Sequence, residues 1–294
     1  MKHGKFGLCT WFTFVLLFSV AGMRAAAVDR TGHETSNWAP PDVDQSIPPV
    51  TTDVPCPLPE VVARASQRVE ELVVNMQRFS ATERAQFVEF DKKGVSHNVA
   101  TAVFSYVAYI HEVRPGQLTV EEYRNDSVGV QSFPTRLATT GTAAFALIFH
   151  PHYIKDFTVT CEGLAQFNGH PAWQLHFAQR PDRSNNFRGY RVAAAYYRVK
   201  LRGRAWISQD SHEVLRLETD LLAPIPEIPL LKEHISIDYG PVYFPKRDLR
   251  LWLPQSTDIF MDYRSHRYHH QHSFSDFKLF WVDTEDRAEG SRKR

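Results

Sequence analysis

The sequence predicts an α+β fold: a curved antiparallel β-sheet, shaped as a half-open barrel, with one long N-terminal helix and a short helical lid. Three observations predict it. A single long helical period occurs early, from Pro59 to Phe79, and most of the chain beyond it alternates every second residue. Short polar turns, not helices, separate most consecutive strands, and parallel strands would need longer crossovers, so a parallel α/β sheet is excluded. At 294 residues, with 43% hydrophobic and 13% aromatic content, the chain is long enough for one sizeable core.

The first segment is a targeting segment. Lys2 and Lys5 precede an apolar run from Phe6 to Ala21, followed by Ala25-Ala26-Ala27. A basic start, an apolar stretch short for a membrane span and small residues at a cleavage point read as a secretory signal peptide over 1–27, cut near Ala27. A retained anchor is the alternative; after cleavage no stable membrane span is expected, and the mature chain is periplasmic or secreted. Cleavage takes away Lys2, Lys5 and Arg24 and no acid, leaving 31 basic against 33 acidic side chains. No basic field for nucleic acid remains. Cleavage also removes Cys9 and leaves Cys56 and Cys161. Two thiols in an oxidising compartment usually pair, so a Cys56–Cys161 disulfide is expected, closing a loop of about 100 residues.

Residues 28–58 are polar and proline-rich, with Pro40, Pro41, Pro48, Pro49, Pro55 and Pro57, and read as a flexible linker. The ligand-binding domain is expected as a single unit over 59–283. It opens with Pro59, tolerated in a first helical turn. Val62, Ala65, Val69, Leu72, Val73, Met76 and Phe79 then recur at three and four residues, an amphipathic helix of about five turns.

Strands come next, from Arg84 to Phe90 and from Val103 to Ile110, the second apolar on both faces. Thr140 to Phe149, ended by Pro151, is a short and almost wholly apolar run; it suits a buried helix or lid, with a core strand as the other reading. Beyond it, Asn168-Gly169 marks a hairpin between a strand carrying Phe157, Val159 and Cys161 and one carrying Trp173, Leu175 and Phe177. GRAWISQDSHEVLRLETDL makes two strands around Gln209-Asp210-Ser211, with Leu215, Leu217, Thr219 and Leu221 on one face of the second. The segment Ala223 to Pro229, APIPEIP, is read as a connection between strands, and 284–294 as a frayed charged tail.

The stretch His266 to Asp276, HRYHHQHSFSD, places His266, His269, His270 and His272 within seven residues. Paired with TDIFMDYR (Thr257 to Arg264) around a Ser265-His266 turn, it sets Asp262 opposite His269 and Met261 opposite His270. Ile259, Met261, Tyr263, Tyr268, His270, His272 and Phe274 then share one face, and His269 falls on the other. His270 and His272 are a two-ligand pair for a metal, as are His150 and His152 in FHPHY, but neither pair has a third ligand nearby. The nucleophile-elbow, zinc-protease, dinucleotide and P-loop motifs are absent, as is any C-x-x-C.

The amphipathic helix leading into T-E-R-A-Q-F-V-E-F, the strand pair G-R-A-W-I-S-Q-D-S-H-E-V-L-R-L-E and the late L-P-Q-S-T-D-I-F resemble the periplasmic lipoprotein-localisation carriers, the LolA/LolB-like superfamily. The resemblance runs from about Pro59 to Val282 and implies an incomplete antiparallel barrel whose concave face holds acyl chains or another apolar ligand. Residues expected to line that face are Phe104, Tyr106, Phe145, Leu215, Leu217, Ile237, Met261 and Tyr263. The expected function is therefore an extracytoplasmic binding protein that holds a lipid-like or acyl-chain ligand in an apolar concavity, with lipid or lipoprotein trafficking as a candidate role and an envelope protein as a candidate partner. No catalytic residue and no cofactor is expected. Two alternatives remain open: a secreted metal-dependent hydrolase using His270 and His272, and an envelope sensor or interaction module.

Overall fold

Chain direction through the sheet is set by where its first strand lands. A computed structural model describes residues 38–76, 78–114, 117–126, 142–183, 188–192 and 194–280; the expected signal peptide, the start of the leader, the first residues of the lid segment and the charged tail lie outside the described residues. Helix α1 is Leu58–Asn75, with Pro59 in its first turn and Val61, Ala65 and Val69 on its buried face. It stops a turn earlier than the periodicity predicts, and Phe79 already belongs to β1, Arg78–Phe90.

β2 (Ser96–Arg114) and β3 (Gln117–Asp126) fold outward from β1 as a meander. The apolar segment Thr142–Phe149 is a 3-10 helix, and the chain then restarts at the opposite edge with β4 (Phe157–Phe167) and β5 (His170–Gln179). A small separate hairpin, β6 (Gly189–Val192) with β7 (Ala195–Arg198), precedes β8 (Leu201–Ser208). β9 (Val214–Leu221), β10 (Leu230–Phe244), β11 (Leu249–Tyr263) and β12 (His266–Phe280) return across the sheet. Among the described residues the ten-stranded order is β3-β2-β1-β12-β11-β10-β9-β8-β5-β4, every pair antiparallel and the sheet not closed. β12 thus pairs with β1, so the last strand meets the first in mid-sheet.

The two faces are covered differently. On the inner face, α1 and Phe145–Phe149 of the 3-10 helix pack onto Leu175, Phe177, Leu201, Leu217, Ile235 and Ile237, and these are almost fully buried. On the outer face the strands carry charges, and residues 38–57 of the predicted flexible leader lie over them. Trp38 donates its backbone N–H to Gly94 O and its ring lies against Arg267. Asp42 meets Arg202 at 3.2 Å and Lys232 at 3.7 Å. Val43 is buried; its N–H donates to Asp220 Oδ2 at 2.8 Å and its carbonyl accepts from Arg204. Arg204 also makes two parallel hydrogen bonds to Glu162. The segment ends on the β4 edge, where Thr51 and Leu164 exchange backbone hydrogen bonds. Gly163, at φ 143°, permits that approach, since a Cβ there would lie 2.7 Å from Thr51 O.

Cys56 and Cys161 form the expected disulfide, joining the segment just before α1 to β4 across a separation of 105 residues. A disulfide typically contributes ~2–4 kcal/mol to stability, by constraining the unfolded chain. Replacing both Cys56 and Cys161 by Ala is expected to lower the unfolding free energy by about that amount, read from the urea midpoint. A midpoint that does not move would mean that the leader's hydrogen bonds alone hold the edge.

Candidate functional site

The eight residues expected to line one concavity are distributed over four clusters. Phe145, Leu217, Ile237 and Met261 meet in the main core, with Tyr263 half-buried at its margin. Tyr106 packs with Phe79 and Phe274, and Phe104 with Ala85 and Phe87. Leu215 lies with Trp206, Ala165 and Ala172, apart from Leu217. The cause is a bulge: Ile207 pairs with Val214 and Trp206 with Arg216, so Leu215 is the extra residue and the alternation changes phase there. The inner face that these residues are expected to leave open is, over β4, β5 and β8–β11, filled by α1 and the 3-10 helix.

The histidine-rich strand keeps its predicted faces but not its register. Arg264 and Ser265, at φ 51° and 62°, form the turn, as a two-residue hairpin turn with both central residues left-handed requires. Ile259 therefore faces His270, Thr257 faces His272, and Phe260 faces His269. This is a two-residue shift from the Ser265-His266 turn, and a shift of two preserves which face each side chain takes. His269 stacks on Phe260 at 3.9 Å and bonds Asp258 at 2.9 Å, not Asp262. Asp262 is taken by Arg267.

His270 and His272 face inward, and a polar group missed in the sequence meets them there. His272 Nδ1 lies 2.8 Å from Glu83 Oε1, both side chains buried. Arg124 grips the same carboxylate with two hydrogen bonds and stacks over the Tyr106 ring at 4.9 Å. Burial works to raise the Glu83 carboxyl, but the His272 hydrogen bond and the Arg124 charge outweigh it and hold it below its ordinary value. The sequence signal was available: Glu83 sits in phase with Phe79, Ala81, Ala85 and Phe87 of β1, where only a paired charge can be buried.

His270 is different. It is fully buried against Phe87, at 4.8 Å between rings, and among the described residues neither ring nitrogen has a hydrogen-bond partner. Burial, with His272 and His269 adding to it, pushes its imidazole down to about 3. The two rings are 6.4 Å apart, and no three His, Cys, Asp or Glu side chains gather around one point among the described residues. At the other H-x-H, His150 Nδ1 accepts from the His152 backbone N–H at 3.2 Å, a turn contact.

An open site lies where α1 ends. A groove of about 890 Å³ runs between the last turns of α1 and the ends of β1, β2, β3 and β12. Val73, Val74, Ile110 and Leu118 form its apolar wall, and Tyr109 and Phe280 its aromatic one. Arg78, Glu70, His111, Glu112 and His150 are its polar members. Burial lowers His150, with His152 acting the same way and Glu70 and Glu112 opposing. None of the eight predicted lining residues is among them. Two large apolar side chains in the groove are conspicuously exposed, Val74 at 65% and Phe280 at 43%.

No family model matches the chain, and no curated protein matches it. Among solved structures it is similar to a DUF1329 family protein from Desulfovibrio piger, at 10% identity and TM-score 0.43, over 82% of this chain and 100% of that one. It is also similar to a putative outer membrane lipoprotein-sorting protein domain from Vibrio parahaemolyticus, at 10% identity and TM-score 0.37, over 79% and 100%. A LolA superfamily protein from Nitrosomonas europaea gives 13% identity and TM-score 0.38, over 76% and 96%. The likeness is one of fold. Function has to come from this chain's own side chains. Among the described residues no helix is long and apolar enough to cross a membrane.

Replacing His270 by Leu removes two unmatched polar atoms at little change in volume. The substitution is expected to stabilise the fold at pH 7 by about 1–3 kcal/mol. The sign of its pH dependence comes from the imidazole's lowered proton affinity. Unfolded, His270 takes a proton near ~6.5; folded, it does so only near about 3. Wild-type stability therefore falls as pH drops through that window, by up to about 1.4 kcal/mol per pH unit, and His270→Leu loses that slope. Urea midpoints of the two proteins from pH 7 to 4 check this; a constant difference between them would refute a neutral, unpartnered imidazole.

Proposed function

We propose that this chain is an extracytoplasmic binding protein that shelters a lipid-like or acyl-chain ligand. The observation that carries the reading is the half-open groove at the end of α1, walled by Val73, Val74, Ile110, Leu118, Tyr109 and Phe280. Its volume of about 890 Å³ lies within the range that small-molecule sites occupy. Affinity there needs no catalyst: each methylene moved out of water contributes ~0.8 kcal/mol. The exposed faces of Val74 and Phe280, costly in water when clustered, become useful once a chain covers them.

The extracytoplasmic location rests on the basic-apolar N-terminal segment and the Cys56–Cys161 disulfide, a bond at home in oxidising compartments. On this reading the sheet acts as a half-open barrel whose interior is closed by α1 and the 3-10 helix, and the ligand is taken at its open end. Delivery to an envelope partner and detection of free lipid both use such a groove.

Mass spectrometry of organic extracts from the purified mature chain is expected to find acyl lipid at about one per chain. Val74→Glu, a change at an exposed helical position, is expected to abolish that lipid while shifting the melting temperature little. Absence of co-purified lipid together with no binding of a fluorescent fatty acid would overturn the proposal.

A further inference from the structure

The groove has one polar member set apart from the rest. Arg78 opens β1 directly opposite Tyr109 of β2 and Phe280 of β12. Its guanidinium lies 4.7 Å from the centre of the Tyr109 ring and 5.1 Å from that of Phe280. Both rings line the groove with it. Stacking engages the faces of a guanidinium and leaves its in-plane N–H groups for other partners. Among the described residues no carboxylate lies within ion-pair distance of Arg78. The other acids of the groove are placed elsewhere: Glu112 is three residues beyond Tyr109 on β2, roughly 10 Å along the strand. Glu112 and Glu70 are the acids that act on His150. His111 lies 3.9 Å from Glu121.

The groove is therefore polarised, with a held cation opposite Tyr109 and the Glu112 carboxylate about 10 Å further along β2. We propose that Arg78 binds the acid group of an anionic amphiphile, a carboxylate or phosphate ester, whose chain lies along Val73, Val74, Ile110 and Leu118. The planar fork of an arginine suits both oxyanions, and the two rings fix it in advance, so little freedom is lost on binding. This rests on the groove being a ligand site, and it adds the class of ligand.

Three probes with the same chain separate the possibilities: oleate, oleoyl lysophosphatidate and oleyl alcohol, each titrated against the mature protein by displacement of a fluorescent fatty acid. At least one of the two acids is expected to bind about tenfold tighter than the alcohol. Preference for oleate assigns a carboxylate, and preference for the lysophosphatidate assigns a phosphate. Arg78→Gln is expected to equalise acid and alcohol, and Arg78→Lys to keep part of the difference. Arg78 is exposed, so both variants are expected to melt as wild type does. Raised salt is expected to narrow the wild-type preference but not the binding of the alcohol. Equal binding of acid and alcohol by wild type, or a preference that survives Arg78→Gln, would overturn the role of Arg78 while leaving the groove as a ligand site. Failure of all three probes to bind would overturn the groove and this proposal together.

Discussion

The pairing of β1 with β12 is the contact on which the rest of the molecule depends. It joins residues some 190 positions apart, Glu83 to His272 across a separation of 189, and converts two strand meanders into one sheet. Without it, β3-β2-β1 would be a three-stranded flap with a charge on its apolar face. With it, Glu83 is enclosed by His272 from one side and by Arg124 from the other. Breaking such a buried set by removing one member costs on the order of 3–5 kcal/mol, because the remaining charge stays buried without its partner. That penalty also fixes the register: a one-residue slip would turn Glu83, Phe87, His270 and His272 out to the other face and expose the aromatic row beside them.

Strand content and facing were legible in the sequence because a two-residue period survives small errors. On β11 and β12 the turn falls one residue earlier on each side than Ser265-His266 suggests, yet every face is kept. On β9 a single bulge is enough to separate Leu215 from Leu217, because it shifts the period by one. The leader was illegible for a different reason. Its order comes from Asp42, Val43 and Pro48 meeting Arg202, Asp220 and Gln174, residues more than 120 positions away. Proline-rich composition reports local preference and is silent about such contacts.

The polar interior was written in the sequence, in a form that is easily passed over. Glu83 among Phe79, Ala81, Ala85 and Phe87, and Glu233 in phase with Ile235 and Ile237, are charges at apolar positions of an alternating strand. Each is matched in the fold, Glu83 by Arg124 and His272, Glu233 by Arg188 at 2.8 Å. The four histidines that look like a cluster in HRYHHQHSFSD divide by the same parity. His269 goes to Asp258 outside, His272 to Glu83 inside, and His270 is left buried without a hydrogen bond among the described residues.

The groove could not have been found by following faces, because it is made by a mismatch of lengths. An α-helix rises ~1.5 Å per residue, so the 18 residues of α1 cover roughly 27 Å. A strand rises ~3.4 Å per residue, so the 19 residues of β2 extend over more than twice that distance. A single helix laid on strands of this length must leave sheet uncovered. Here α1 packs near β2's far end through its last turns, by Leu72 and Val73, and then stops at Asn75. The first residue of the returning strand is Arg78, so the chain reversal that ends the cover also delivers the cation. An apolar wall beside a stacked guanidinium is thus the direct product of a helix too short for its sheet, and it confines ligand chemistry to the place where the core is left open.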